Sequence, residues 1–352
     1  MKKSLLILVA LLTAVCIGLA ACGGEDTAAL DTSGGTGGGE NGEASAGEEE
    51  SFEFNIGHTL APDSHYHVVS ERLAELVEEK TGGSITMNVF PQSQLGGEVA
   101  MIQAAQAGNQ EMLITAQAPL TNMVPEWSMF DLPYLFDNLD EANAILQSEV
   151  GDQYLEMLEE HDLIGLGFLS AMERNVFSSK PLDTADDFNG FRVRVMEAPG
   201  YVAAYEALGA QPTAMAYSEV YTALQQGVVD GADTSPDQFV MDRFVEVADY
   251  YNITKVHYLP ATLIISKTIW EQLSENQQQA LTEAAEEALA EGMDYYYQSF
   301  DESIAEMQEA GVTVIESDTA GMQEQASAIY DDLLNGIPNG QELYEAIQAQ
   351  KE

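Results

Sequence analysis

Positive charge is the scarcest feature of this 352-residue chain: Lys and Arg together number 12 against 59 Asp and Glu, a formal charge of −47. So one-sided a surface repels phosphate backbones and anionic headgroups, which argues against nucleic-acid binding and against charge-driven docking on a membrane. The acids are spread along the whole chain and not gathered in one block, so they read as a solvated surface adapted to high salt, not as an acidic interaction tail. Cysteine is almost missing. Cys16 and Cys22, both near the N-terminus, are the only two, so the body is expected to hold no disulfide, no thiolate-bound zinc and no thiol nucleophile. Five histidines occur. His65 and His67 have metal-chelating spacing but fall where a helix begins, with no third ligand in view, so they read as solvated or pocket-lining side chains. No Gly-x-Ser-x-Gly elbow and no His-Glu-x-x-His motif occurs. Gly165-Leu166-Gly167 lacks the third glycine of a dinucleotide-binding turn. No enzyme, cofactor or metal is therefore expected.

What is present begins with an address. Lys2 and Lys3 precede an apolar run from Leu5 to Ala14, too short to be a comfortable membrane span. The run closes on Leu19-Ala20-Ala21-Cys22-Gly23, which resembles a bacterial lipobox, with Cys22 as the lipidated residue; the alternative is an ordinary signal peptide cut after small residues. Residues 23–51 hold nine Gly and eight Asp or Glu and no Lys or Arg, the composition of an extended, flexible tether. The glycines at 34–39 are not followed by Gly-Lys-Ser/Thr, so no phosphate loop is expected there. After Cys22 no apolar run is long enough to cross a bilayer. These features place the protein outside the cytoplasm, held at the membrane by lipid alone.

From Phe52 onward, with 45% of the whole chain hydrophobic, there is apolar material for one large core or two smaller ones. Phe52, Phe54 and Ile56 alternate as in a strand, Val69, Leu73, Leu76 and Val77 keep helical spacing, and Gly82-Gly83 marks the stop. Ile85, Met87 and Val89 alternate again. A helix over about 97–107 leads to the apolar strand Met112-Leu113-Ile114, and a helix through Val150, Tyr154 and Leu158 leads to a buried strand over 163–169. This repeated strand–helix order predicts an α/β fold with a parallel sheet. A second unit is expected to start near Ala171: Phe191, Val193 and Val195 share one strand face, with Arg192 and Arg194 on the other, helix stripes run through Tyr201, Tyr205 and Leu208 and through Val220 and Leu224, and Val228-Val229-Asp230-Gly231 reads as a strand entering a tight turn. Ser274 and Gln277 have capping-box spacing, and no proline follows before Gly311. A helix of that length, about 55 Å, lies across both units or bends at Gly292. Residues 312–315 read as a further strand.

Between Lys80 and Lys267 the basic residues are Arg174, Lys180, Arg192, Arg194, Arg243 and Lys255. Arginine grips a carboxylate with two parallel hydrogen bonds, although abundant surface acids offer Arg174, Arg192 and Arg194 simpler partners.

Here the residues resemble a known family. Tyr217-Ser218-Glu219-Val220-Tyr221-Thr222-Ala223-Leu224-Gln225-Gln226-Gly227-Val228-Val229-Asp230-Gly231 is similar to the signature of the TRAP-transporter solute-binding proteins, the DctP-like family. In family order, Phe90-Pro91-Gln92-Ser93-Gln94-Leu95-Gly96-Gly97, Asp131-Leu132-Pro133-Tyr134-Leu135-Phe136, Gly190-Phe191-Arg192-Val193-Arg194-Val195 and Leu208-Gly209-Ala210-Gln211-Pro212-Thr213 match as well. The resemblance implies a two-domain, periplasmic-binding-protein-like clamp with a long helix bracing both domains. The expected division is residues 52–170 plus about 261–300, and about 171–260 plus 301–352. It implies an extracytoplasmic receptor that closes on a small organic anion and delivers it to small and large membrane subunits for ion-gradient-driven uptake; a sensing module for a membrane receptor and, behind it, an exported enzyme on a bilobal fold are the alternatives. Arg194 matches the family's carboxylate-binding arginine and Arg174 the second one, while Arg192 reads as structural. Tyr217 matches an aromatic that packs on the ligand, or is a core aromatic at a helix entry. Asp233 and Thr234 stand where the family has Glu-Asn, and His58, Tyr66, Gln117 and His257 fall near pocket segments.

Overall fold

The computed structural model describes residues 50–351; Cys22, the leader before it and nearly all of the tether lie outside the described residues. Nine strands form one mixed sheet: β1 Phe52–Gly57, β2 Ile85–Phe90, β3 Met112–Ala116, β4 Leu163–Ser178, β5 Arg192–Val195, β6 Gln211–Ala214, β7 Gly231–Thr234, β8 Tyr250–Ser266 and β9 Thr313–Glu316. Their order is β2-β1-β3-β8-β4-β7-β5-β6, with β9 beside β8. At one end β1 pairs in parallel with β2 and β3; at the other β5 pairs in parallel with β6 and β7. The two parallel groups are joined by antiparallel contacts through β8 and β4. The expected α/β architecture is thus present, but its centre is a pair of long antiparallel strands.

The strand expected to end at residue 169 continues to Ser178, so that β4 runs 16 residues against the 17 of β8. No periodicity announced β8, because Pro260 interrupts it. In the sheet Pro260 lies opposite Ala171, where the register slips after Phe168; a proline without an N–H is tolerated at such an irregularity. Residues 228–230 correct another expectation. They form no strand: Val228 is half exposed, and the strand begins only at Gly231, where Phe177 O and the Phe191 ring stand so close that any Cβ would clash.

Helix His65–Lys80 starts four residues before its first expected apolar position, with Ser64 accepting the His67 N–H, and ends ahead of Gly82 and Gly83 at φ +62° and +85°. The long helix, Glu275–Glu309, has both halves of the Ser274–Gln277 capping box and runs unbroken through 35 residues, about 52 Å. Gly292 is not a break. It sits buried in the face that meets Val69 and Leu169, and it lets the long helix approach helix His65–Lys80. No helix among the described residues is long and apolar enough to cross a membrane. The chain ends in helices Thr319–Ala326, Tyr330–Gly336 and Gly340–Gln350, which tie down distant segments: Gln325 Nε2 donates to Ala207 O, Tyr330 Oη to Pro133 O, and Lys351 pairs with Glu141 at 3.1 Å.

A Cβ at position 292 would stand 2.0 Å from Val69 Cγ2 and 2.8 Å from Leu169 Cδ1. Gly292→Ala should therefore lose stability: overpacking costs about 1–3 kcal/mol and exceeds the ~1 kcal/mol by which alanine is favoured within a helix. Denaturant midpoints of the two proteins check this, and Val69→Ala added to the variant should recover part of the loss.

Candidate ligand-binding site

Three neighbouring strands bring the charged centre together. Arg174 is on β4, Asp233 on β7 and Arg194 on β5, with Arg194 in register with Ala232, the residue before Asp233. The arginines are 4% and 1% exposed and Asp233 1%. Arg174 grips Asp233 in a fork: Nε to Oδ2 and Nη2 to Oδ1, both at 3.1 Å, and Nη2 also donates to the Asp233 carbonyl. Burial works against both charges, yet each holds the other ionised: Asp233's carboxyl lies below its ordinary range and Arg174's guanidinium above its own.

Arg194 is held differently. Its Nε and Nη2 both donate to Met215 O, at 3.0 and 2.9 Å, and its Nη1 is buried without a hydrogen-bond partner among the described residues. Burial lowers its pKa; Asp233 offsets this and Arg174 adds to it. The arrangement fixes the plane of the guanidinium through a neutral carbonyl and leaves one N–H edge unused. The Tyr217 ring stands 5.8 Å from the guanidinium, and the Tyr217 hydroxyl donates to Asp242 Oδ2 at 2.6 Å. Tyr217 thus stands beside the cation and also packs between the two apolar clusters, as a core aromatic at a helix entry does. Thr234 Oγ1 is buried and unpartnered. Arg192, on the same strand face as Arg194 but at its outer end, pairs with Asp230 at the surface.

From the other parallel group come Gln117, His58 and Tyr66. Gln117, just after β3, gives its Nε2 to Asp131 Oδ1 at 2.8 Å and keeps Oε1 unpartnered. Burial raises Asp131's carboxyl well above its ordinary range, against the pull of the Gly200 backbone hydrogen bond. His257 on β8 stacks on Tyr201 at 3.9 Å and directs Nε2 to Asp131 O at 3.1 Å. A carbonyl only accepts, so Nε2 carries the proton; burial depresses the pKa to about 4, which leaves Nδ1 a bare, unpartnered acceptor. His58 is fully buried, its Nε2 3.2 Å from His67 Nδ1, and burial with the neighbouring His67 and His65 pushes its pKa down to about 3. Tyr66 packs edge-on against His58 and His65. The expectation that His65 is solvated or pocket-lining is corrected: it is fully buried, with Nδ1 3.2 Å from Asp237 Oδ2. Among the described residues no group of three or more His, Cys, Asp or Glu is arranged to hold a metal ion.

Sequence reasoning missed Glu98. It follows Gly96-Gly97 at the start of helix Glu98–Gln106, accepts the Ala116 N–H at 2.8 Å and the Thr115 hydroxyl at 3.3 Å, and is 8% exposed. Burial raises its pKa, while the Ala116 N–H and then Arg194 and Arg174 draw it back. In a chain with 59 acids nothing distinguished this one. The site is therefore two buried arginines, one committed to an aspartate and one with an open edge, among neutral donors and acceptors contributed by both ends of the sheet.

Comparison with known proteins identifies the family. Residues 56–336 match the family described as DctP, bacterial extracellular solute-binding protein, family 7. The C4-dicarboxylate-binding periplasmic protein DctP of Rhodobacter capsulatus is 30% identical over 309 residues, 85% of this chain and 91% of that one. The crystal structure of a TRAP periplasmic solute binding protein from a Polaromonas species, bound to D-erythronate, superposes with a TM-score of 0.82 at 32% identity, over 85% of this chain and 99% of that one. A TRAP periplasmic solute binding protein from Chromohalobacter salexigens with bound D-glucuronate gives 0.82 at 30% identity, over 84% and 99%. The chain belongs to the DctP family of TRAP-transporter solute-binding proteins, and has their two-domain fold.

Proposed function

We propose that this chain is the receptor of a TRAP transporter for a sugar acid, a monocarboxylate bearing several hydroxyls. It captures the acid outside the cytoplasm and delivers it to small and large membrane subunits for uptake driven by an ion gradient, with lipid on Cys22 keeping it nearby. The unused edge of Arg194 carries the reading: a buried, oriented cation whose Nη1 has no partner is a carboxylate contact prepared in advance. The charge of the ligand follows from the surroundings. Arg174 is matched by Asp233, and the other cations of the described body bind acids or carbonyls nearer the surface. A second carboxylate would find no second open cation and would face Glu98. The unpartnered Thr234 Oγ1, His257 Nδ1 and Gln117 Oε1 suit hydroxyls, which can donate as well as accept. D-Erythronate and D-glucuronate, bound by the two structural neighbours, are both of this type.

The test is a thermal-shift screen of the full chain in high salt with D-erythronate, D-glucuronate, D-galacturonate, succinate and malate, on wild type and Arg194→Ala. A sugar acid at about 100 times its dissociation constant should add ~2.7 kcal/mol of stability, with a smaller shift for the dicarboxylates. Arg194→Ala should abolish the shift, since losing one partner of a buried charged contact costs about 2–5 kcal/mol. No shift with any acid overturns the receptor reading, and a shift that survives the substitution overturns the role of Arg194.

Asp242, which fixes the Tyr217 hydroxyl, gives a pH dependence. Burial, with Asp237 and Asp63 adding to it, pushes its pKa up to about 6, against the pull of the Tyr217 hydrogen bond. The folded state therefore binds this proton more tightly than the unfolded chain, and stability falls as pH rises through about 6. Asp242→Asn keeps an acceptor for Tyr217 and removes the charge. It should stabilise the protein at pH 8, by at most about 3 kcal/mol because solvent partly screens the site, and should leave stability at pH 4 nearly unchanged. Urea midpoints at the two pH values decide this; a gain of equal size at both would assign the effect to packing.

A further inference from the structure

A second buried polar contact lies outside the arginine site. It joins the first turn of helix His65–Lys80, which packs beside β1 and β2, to the first turn of helix Pro236–Met241, which follows β7. These helices belong to opposite ends of the sheet. His65 Nδ1 stands 3.2 Å from Asp237 Oδ2, and both side chains are fully buried. The approach is close but not aligned as a hydrogen bond, since neither ring nitrogen of His65 has a hydrogen-bond partner among the described residues.

Each partner is secured from its own side. Asp237 is ringed by local donors, with Ser235 Oγ on Oδ1 and Gln238 Nε2 on Oδ2 at 2.9 Å. Those donors are neutral and local, and His65 is the side chain that approaches the carboxylate from the other helix. The His65 ring is wedged between Tyr66 at 4.9 Å and Tyr296 of the long helix at 4.8 Å, and Tyr296 is itself tied to β4 by accepting the Glu173 N–H at 3.1 Å. The charged and titratable groups around the pair are Asp242 and Tyr251 on the Asp237 side, His58 and Tyr66 on the His65 side and Tyr296 beneath both. A carboxylate so placed is sheltered only while the two helix ends touch; separating them wets it.

We propose that the His65–Asp237 contact is a clasp between the two halves of the molecule, one that biases the protein toward the closed form in which Arg174 and Arg194 are sealed from solvent. The clasp rests on the receptor reading only in that closure is what would retain a ligand; its effect on closure is measurable without one. Closed states in hinged proteins are held by such small differential contacts, and a contact made in one state alone shifts the population toward that state.

The experiment is small-angle X-ray scattering of the ligand-free full chain, as wild type, His65→Gln, Asp237→Asn and the double variant, with melting curves alongside. Each single substitution should raise the radius of gyration, on the order of 1 Å for a hinge opening, and the double should raise it no further than the larger single, because both remove one contact. In wild type with sodium D-glucuronate the receptor reading is tested separately, and its failure leaves the ligand-free comparison intact. Unchanged radii in all variants overturn the clasp, and a lower melting temperature with unchanged radii would make the pair an ordinary core contact. Should His65→Gln fail to fold, Asp237→Asn, which keeps its size and an oxygen to accept from Ser235, decides the matter.

Discussion

The buried pair of Arg174 and Asp233 is the constraint that the rest of the site depends on. Taking two charges out of water costs several kcal/mol each, and a fork of hydrogen bonds on both oxygens is what makes the burial tolerable. The pair does not stabilise the fold so much as fix its geometry. Once Asp233 is locked to β4, β7 has one possible orientation, and β5, paired with β7 through Ala232, must present Arg194 from the adjoining position. Arg194 then finds Asp233 already engaged. Its own charge is tempered by that carboxylate without being neutralised by it, which is the condition a reversible anion site needs.

This centre has to be held by a scaffold that contains both ends of the sheet and still lets them be distinct. The long β4 and β8 do this. They pair along nearly their whole length, and their register slips three times, at Gly165/Gly167, Phe168/Ala171 and Arg174/Val176. The last slip immediately follows Arg174. Irregularity next to a functional residue re-aims a side chain that a perfect ladder would point along the common direction. The long helix crosses the assembly on one face, with Gly292 pressed on Val69 and Leu169 and Tyr296 reaching both His65 and Glu173, so it braces the same two ends that the central strands join.

Much of this was legible in the chain itself. The parallel groups, the capping box of the long helix and the isolated arginines were readable because each rests on local pattern: a period of two or 3.6, a serine three residues before a glutamine, scarce charge in an acidic background. Other features were hidden for physical reasons. Strand β8 is buried on both faces and interrupted by Pro260, so it carries no alternation and a proline that argues against it. Glu98, Asp131, Asp237 and Asp242 are acids in a chain full of acids, and only burial separates them from the solvated majority. His65 and His67, two residues apart, look equivalent in sequence, yet one turns into the core toward Asp237 and the other toward His58 and the surface. The family resemblance supplied what local pattern did not, namely the expectation that Arg174 and Arg194 serve one site.

The acidic surface leaves one apparent contradiction, a −47 protein with a site for an anion. Charge at the surface acts over the Debye length, about 10 Å at 0.1 M salt and ~3 Å at 1 M, whereas in the proposed receptor Arg194 would act at hydrogen-bond distance from its buried position. On that proposal, raising salt removes the long-range repulsion of the anion and leaves the Arg194 contact in place. At low salt the same surface would slow approach of the anion without changing the geometry it meets, so the effect of ionic strength belongs mainly to the association rate. The division of labour follows from depth: carboxylates outside, where water and ions screen them, and a few guanidinium groups inside, where one aspartate and one carbonyl set their positions.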